Sequence, residues 1–315
     1  MTDLTLTTVP SQATLDWSST LGLVAGMDGV GPMAVIAAPE LYFDYPVKGL
    51  VSLAWAQEPY RLVWALRSDG KAVAMTYRRD QEVVGWQRIE TDGAIESMTV
   101  IPTPDGSSDE IWAVVRREIG GVPQRYIERQ AQPFDPVSPD DKQGAIYLDS
   151  AVAYQGVPET RFDNLDHLEG KTVQVWADGA RRPDTIVTDG AVTLATPASK
   201  VLIGLGYASR VTTLRASQPI ATGPIQGRGK RIHRTTLRLR DCGGGRIGRK
   251  GGRLRDLVFR DGADPLDGSP PWFTGDKRVQ IDEGFDTDGR LTLEADGPEP
   301  FTLVALISEL LVGDD

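Results

Sequence analysis

Apolar residues alternate with polar ones at every second position through most of this chain, and this period constrains the fold more than any other feature. Residues 61–67 and 71–77 both show it, and Ser68-Asp69-Gly70 stands between them. An Asp-Gly pair between two such runs indicates a β-hairpin, because glycine accepts the positive φ of a tight turn. No stretch of helical length has the 3.6-residue period of an amphipathic helix. The sequence therefore predicts an all-β fold.

Similar runs separated by turn residues predict further short strands. They cover residues 82–89, 96–101, 110–117, 122–130, 171–176, 184–187, 191–194, 200–204, 290–294 and 301–311. Strands of this length and spacing are typical of antiparallel sheets, sandwiches and propeller blades. A proline-rich stretch, 131–142, is interpreted as a linker.

These runs divide the chain into four predicted parts. They are an N-terminal extension (1–40), an antiparallel β domain that forms part of a propeller or sandwich (41–142), a small β-barrel-like domain (143–213) and a C-terminal β section with a basic hairpin (214–315).

The charge is unevenly distributed along the chain. With 44 Asp and Glu against 34 Lys and Arg, the net charge is −10, yet residues 225–260 hold twelve Lys or Arg and only Asp241 and Asp256 as acids. This basic segment has a charge of +10, and the remainder has −20. Such a segment has three possible roles: it binds phosphates, it contacts acidic protein surface, or it forms a solvated surface hairpin. We favour ion pairing within the chain or between subunits over contact with nucleic acid. The residues expected to make these contacts are Arg228, Lys230, Arg231, Arg234, Arg238, Arg240, Arg246, Arg249, Lys250, Arg253 and Arg255.

Residues 243–250 nearly match a phosphate-binding loop. That pattern needs Lys followed by Ser or Thr after the last glycine, and here Arg249 and Lys250 occupy those positions. The run also lies between predicted strands, without the helix whose N-terminus would face a phosphate. A mobile glycine-rich hairpin tip is the favoured interpretation.

Residues 282–289 resemble a calcium-binding loop in composition. In the register set by Gly289, an acid is needed where Gly284 stands and a bidentate Glu where Ala295 stands. Both requirements fail, so we interpret Asp288-Gly289 as a turn that leads into a strand.

Cysteine and histidine are scarce in the chain. The single cysteine, Cys242, excludes an intrachain disulfide and a thiolate metal cluster, and we expect it to be an exposed, inert thiol. The two histidines are His167 and His233, and His233 is predicted to lie on the surface of a basic strand. We therefore expect no catalytic residue, no metal site and no cofactor.

The tryptophans bear on glycan binding, because exposed indole rings stack on sugars. Trp55, Trp64, Trp86 and Trp112 lie within alternating runs, where core packing is favoured over a sugar-stacking platform.

Several predicted strands carry motifs that occur together in one protein family. The motifs are WAQEPY (55–60), VWALRSDG (63–70), MTY (75–77), QEVVGW (81–86), TDG (91–93), ES (96–97), VIP (100–102), DEIW (109–112), VVRR (114–117), RYIER (125–129), LDHLEGKTV (165–173), ADG (177–179), GRGKRI (227–232), FTGD (273–276) and DTDGR (286–290). In this order they resemble the nozzle, or tail tubular protein B, family of short-tailed bacteriophages. The resemblance covers residues 40–315, and the order of the motifs is more specific than any one of them. Family members are usually longer, with a large β region upstream.

The resemblance implies a structural, non-catalytic tail protein that is assembled in the bacterial host cytoplasm. It implies a homo-oligomeric ring of six copies below the portal and adaptor proteins, which encloses the channel for genome ejection and presents surfaces for fibres or spikes. Genomic DNA would pass without specific binding, and no part would insert into a membrane. Because exposed cations would hold the passing DNA, we expect the basic segment to face acidic protein surface and not the channel.

Two other functions stay open. One is a receptor- or glycan-binding module at the tail tip or fibre collar. The other is a tailspike-like depolymerase, which the lack of a repeat period disfavours.

Overall fold

The structure, a computed structural model, describes residues 49–78, 83–131, 144–216, 225–260, 262, 264, 269–281 and 284–313. The predicted extension 1–40 and the predicted linker after its first residue lie outside these ranges. The described secondary structure is antiparallel β apart from a short 3-10 helix, Asp166–Leu168, which confirms the predicted all-β fold. No helix that could cross a membrane occurs in the ranges given above. The chain divides into two compact units, Met1–Pro133 and Phe134–Asp315.

The first unit contains two antiparallel sheets in which consecutive strands pair. The first sheet consists of β1 (Leu50–Ala56), β2 (Leu62–Arg67), β3 (Ala72–Arg78) and β4 (Val83–Ile89). The second consists of β5 (Ala94–Pro102), β6 (Asp109–Ile119) and β7 (Val122–Arg129). Alternation places Trp64, Leu66 and Ala74 of the first sheet in one apolar cluster with Ile95 and Val115 of the second. This shared cluster holds the two sheets together.

The second unit begins with a four-stranded sheet. Its strands are β8 (Asp149–Phe162), β9 (Thr172–Ala177), β10 (Ala180–Ile186) and β11 (Val192–Leu205), in the order β10-β9-β11-β8. Asp178 and Gly179 both have positive φ and form the two-residue turn between β9 and β10. The predicted strands 191–194 and 200–204 are one strand, β11, whose register with β8 is irregular between Thr193 and Ala198.

Two more sheets complete the second unit. Their strands are β12 (Ser209–Thr212), β13 (Lys230–Cys242), β14 (Arg246–Arg249), β15 (Arg255–Asp256), β16 (Phe273–Gln280), β17 (Leu291–Ala295) and β18 (Thr302–Val312). The strand orders are β12-β17-β14-β15 and β16-β13-β18. Leu237 and Leu239 of β13 share an apolar cluster with Leu291 and Leu293 of β17. Although β12 lies in the predicted domain 143–213, it pairs with β17 of the predicted section 214–315, so residue 213 does not separate two sheets.

Candidate electrostatic interface

Strand β13 is the central strand of its sheet and carries the middle of the basic segment. Its side chains alternate, so that Leu237 and Leu239 are buried whereas Arg234, Arg238 and Arg240 are exposed. The apolar side packs into the core of the unit, and the opposite side of the sheet carries the arginines. The period of two thus places these cations in one row.

A carboxylate on a neighbouring strand faces the middle of this row. Arg238 lies opposite Asp276 of β16, and its Nε and Nη2 donate to the two carboxylate oxygens at 2.8 and 2.9 Å. These hydrogen bonds hold the pKa of Asp276 below its usual range. A bidentate pair of this kind fixes the guanidinium in one orientation.

The other exposed arginines of the row also have acidic neighbours. Nε of Arg234 lies 3.6 Å from the carboxylate of Glu309 on β18, and Nε of Arg240 lies 3.8 Å from that of Asp241. Exposed pairs contribute at most about 1 kcal/mol each, so their main effect is to reduce the positive charge of this face.

A buried carboxylate binds two arginines on the neighbouring sheet. Glu294 of β17 is only 5% exposed, and Arg246 of β14 donates to it and, at 2.6 Å, to Asp296. On the other side of β17, Nε of Arg210 on β12 donates to Glu294 at 2.5 Å. Arg210 lies outside the basic segment, so the charge pattern of the sequence does not indicate it. Its only signal is the pairing of β12 with β17, which no local pattern reveals.

Three further residues that were predicted to make electrostatic contacts have partners within the same chain, near residues 286–287 or at Gly313. Lys230 is buried, and its Nζ donates to the carbonyl of Thr287 at 2.7 Å. Arg228 donates to the carbonyl of Gly313 at 3.0 Å, and Nη1 of Arg249 lies 3.5 Å from Asp286.

The remaining predicted contact residues are less enclosed. Arg231 is half-buried, and Lys250, Arg253 and Arg255 are exposed. Among the described residues, Lys250 and Arg253 have no ion pair. A cleft of about 240 Å³ with charges of both signs lies beside the hairpin that β14 and β15 form. Its lining residues are Arg249, Lys250, Asp286, Thr287, Asp288 and Arg290.

The basic segment therefore divides into two parts. Most of the arginines on β13 and β14 face carboxylates of the same chain, whereas the cations at the β14–β15 hairpin stay exposed. Contact of either part with a neighbouring subunit remains a prediction.

Three glycines of the glycine-rich run, for which a mobile hairpin tip is predicted, are closely packed: Gly243, Gly245 and Gly248. A Cβ on Gly245, which has a φ of +133°, would lie 2.6 Å from the ring of Phe301. A Cβ on Gly248 would lie 2.3 Å from the carbonyl oxygen of Arg253. Strand β14 lies within this run, and the next element is strand β15 and not a helix. These glycines are needed for close backbone approach.

Glu299 lies against the first glycine of the same run. A Cβ on Gly243 would lie 2.8 Å from the Cβ of Glu299, and a Cβ on Gly297 would meet its carboxylate. Burial raises the pKa of Glu299, and the positive charge of Arg181 only partly opposes this effect. The folded protein consequently binds a proton at this carboxyl more tightly than the unfolded chain does.

Replacement Glu299→Gln should therefore stabilise the protein at neutral pH. A raised pKa gives a contribution to stability that is complete below the unfolded pKa of Glu and is lost as the pH rises through the folded pKa. Thermal unfolding between pH 3.5 and 8 should show a higher Tm for the variant at pH 7 to 8 and equal Tm values near pH 3.5. A gap in Tm that is the same at every pH would contradict the role of ionisation.

The cysteine and the histidines are bound within the fold. Cys242 is 0% exposed, so the predicted exposed thiol is wrong, and burial raises its pKa. Its sulfur accepts a hydrogen bond of 3.2 Å from the amide of Thr302, across the pairing of β13 with β18. Nε2 of His233 lies 3.3 Å from Glu309, and Nε2 of His167 lies 3.1 Å from the carbonyl of Ser150.

The acidic loop before β17 forms a turn. Oδ1 of Asp286 accepts hydrogen bonds from the amides of Asp288 and Gly289, at 2.7 and 2.5 Å. Asp282 and Glu283 of the predicted loop lie outside the described residues. Within the described ranges, no group of three His, Cys, Asp or Glu side chains could hold a metal ion.

The tryptophans differ in burial. Trp64 is in the core of the first unit, whereas Trp55, Trp86 and Trp112 are half-buried. Nε1 of Trp112 donates to Glu110 at 3.0 Å, and the guanidinium of Arg129 lies 5.8 Å from the ring centroid.

Comparisons with known proteins give only remote likenesses. No family model matches the chain, and no curated protein matches it. Among solved structures it is similar to an exo-β-1,3-galactanase from Phanerochaete chrysosporium, in one structure with β-1,3-galactotriose and in another with galactose. The identities are 9% and 11%, the alignments cover 84% of this chain and 69% of the galactanase, and the TM-scores are 0.16 and 0.15.

Proposed function

We propose that this chain is a nozzle-like structural protein of a short-tailed bacteriophage tail. In this function it forms a homo-oligomeric ring, with six copies, that encloses the channel for genome ejection. Its neighbours are the adaptor proteins towards the head and the fibre or spike proteins on the outside. Genomic DNA passes through without specific binding, and the chain itself catalyses no reaction.

The ordered series of motifs along residues 40–315 carries this proposal. The motifs fall on successive strands of both units, including β1 to β3 of the first unit and β9, β13 and β16 of the second. The described sheets are also small and open, with two edges each. Subunit contacts in a ring cover such edges, which otherwise invite uncontrolled pairing.

The charges of the basic segment are compatible with a conduit. Each phosphate that a cation neutralises releases counterions and strengthens DNA binding, so a wall of free arginines would hold the genome. Arg238 and Arg246 are instead bound to carboxylates of the same chain. In the proposed ring the channel wall is therefore neutral or negative, and the remaining cations of the basic segment face acidic protein surface.

Cryo-electron microscopy of the purified virion tests the proposed function. We expect six copies of this chain around the tail axis, with Arg238, Arg240 and Arg249 away from the DNA density. Single copies, or separate trimers at the tail tip, would contradict the ring. Arginines that point into the channel would contradict the assignment of the basic segment.

The surface around Trp112 favours a second candidate, a receptor- or glycan-binding tail-tip module. Trp112 of β6 lies opposite Arg129 of β7, and Ile127, two residues before Arg129 on the same face, is among the most exposed apolar side chains of the first unit. An indole held by a carboxylate beside exposed apolar surface can stack on a sugar ring or a partner side chain. Binding to host glycans that Trp112→Ala abolishes would support this candidate.

A further inference from the structure

Strand β18 forms an open edge of its sheet, and its pairing with β13 is regular from Ala305 to Glu309 and irregular at Val304. In the order β16-β13-β18 it pairs with β13 along one side, and no described strand pairs with the other side. It is eleven residues long, and its sequence from Thr302 to Val312 contains no Pro, Gly, Lys or Arg. An edge of this length offers a row of free N–H and C=O groups to any strand that can reach it.

Most of the other edge strands of the described sheets contain residues that oppose pairing, and the exception is the shorter β1, which has seven residues. Strand β8 contains Gly156 and Pro158, β7 contains Pro123 and β10 contains Pro183. Proline cannot donate to a ladder, and glycine weakens a strand. Of all the edge strands in the described sheets, β18 is the longest that contains no proline, no glycine and no basic side chain.

Three apolar side chains of β18 are exposed. Val304 is 59% exposed, Ile307 is 52% exposed and Leu311 is 47% exposed. The one ionisable side chain of the strand, Glu309, lies 3.3 Å from Nε2 of His233 and 3.6 Å from Nε of Arg234, both on β13 of the same chain. The free edge thus carries apolar surface and a carboxylate with cationic neighbours.

We propose that the free edge of β18 pairs in antiparallel fashion with β18 of a second copy of this chain. Ile307 is the middle residue of Thr302–Val312, so the register centred on Ile307 pairs the regular stretch 305–309 of both strands. This register puts Ile307 opposite the second Ile307 and Glu309 opposite Ala305. Apolar pairs stabilise such ladders, and this register keeps the two Glu309 carboxylates from facing each other.

Pairing with the opposite edge of the same sheet is less favourable. Strands β16 and β18 are both antiparallel to β13, so they run in the same direction. A head-to-tail continuation of the sheet would therefore create a parallel pair, which is slightly less stable per residue. Strand β16 also carries Lys277 and Arg278, charges that discourage edge pairing.

This contact goes beyond the proposed ring and does not depend on it. A twofold contact uses the same edge of both partners and closes after two copies, whereas a ring needs contacts between unlike surfaces. The pairing of β18 consequently belongs to the free protein or to a contact outside the ring.

The oligomeric state of the purified full chain tests the inference. We expect a dimer by analytical ultracentrifugation, and Ile307→Lys should raise its dissociation constant by at least about tenfold, because two lysines would face each other. The matched control is Ile186→Lys, at a similarly exposed position on the protected strand β10. Circular dichroism checks that both variants fold. A monomeric wild type, or equal effects of the two substitutions, would overturn the inference.

Disulfide cross-linking tests the register. The native Cys242 is buried, so Ile307→Cys introduces one exposed thiol per chain. Opposite residues of antiparallel strands are about 4.5 to 5.5 Å apart at Cα, within the range of a disulfide. Mild oxidation should give a covalent dimer of Ile307→Cys and none of Ile186→Cys. If the protein instead forms oligomers larger than a dimer and Ile307→Cys does not cross-link, unlike edges pair. That result would refute the pairing of β18 with β18, and the proposed ring could still be correct.

Discussion

Gly93→Ala should lower the free energy of unfolding of the first unit by about 3 kcal/mol, one of the two largest effects that we expect in this protein. Gly93 has a φ of +131°, a conformation that side chains rarely adopt. A Cβ at this position would also lie 2.4 Å from the carbonyl oxygen of Arg116. Because that oxygen belongs to the backbone of β6, the clash cannot be relieved by a rotamer change.

Gly106→Ala is the matched control for this prediction. Gly106 also has a positive φ, +69°, but a Cβ there would meet nothing within 4 Å. The substitution Gly106→Ala should therefore lower the free energy of unfolding by only about 1 kcal/mol, which is the cost of the backbone conformation alone. Urea denaturation with hydrogen exchange that resolves the two units measures both variants. Equal losses would show that the contact with Arg116 has no energetic effect.

The second large effect concerns the buried Arg117. Its side chain is 1% exposed, and Nε and Nη2 donate to the carboxylate of Glu128 on β7 at 2.8 and 2.7 Å. Nη1 donates to the carbonyl of Asp92. Arg117→Met would remove both guanidinium hydrogen bonds from this carboxylate and the hydrogen bond to Asp92, so we expect a loss of about 3 kcal/mol in the free energy of unfolding of the first unit.

The double variant Arg117→Met with Glu128→Leu separates lost charge from lost packing. Replacement of both partners by apolar residues also removes the carboxylate that lost these hydrogen bonds, and at least half of the stability lost in Arg117→Met should return. The same denaturation experiment measures the recovery. A double variant as unstable as the single one would assign the loss to packing and not to the ion pair.

Most strands could be predicted because their signals are local. The run 71–77 corresponds to β3, and Asp178-Gly179 forms the predicted turn, since alternation and turn chemistry need only neighbouring residues. Strand β8 was not predicted, because Gly156 and Pro158 interrupt its pattern. It forms because β11 offers it a partner, and such pairing depends on residues far away in sequence.

The candidate site could be predicted only in part for the same reason. The composition of residues 225–260 identified the basic segment, yet it could not assign Asp276 to Arg238 or Glu294 to Arg246. These carboxylates are brought in by β16 and β17, which follow in the chain. Cys242 was expected at the surface, but the register of β13 with β18 turns it into the core.

The pairing of β12 with β17 also constrains when the second unit can fold. Thr212 lies opposite Thr292, and β17 is the only strand that β12 pairs with in the described sheets. During synthesis, Ser209–Thr212 must therefore wait unpaired while about 80 more residues are made, on the order of several seconds at ordinary elongation rates. The sheet β16-β13-β18 is completed later still, since its last strand ends at Val312. Completion of these two sheets is accordingly a late event of synthesis, and a chain that stops before β17 exposes unpaired strands to aggregation.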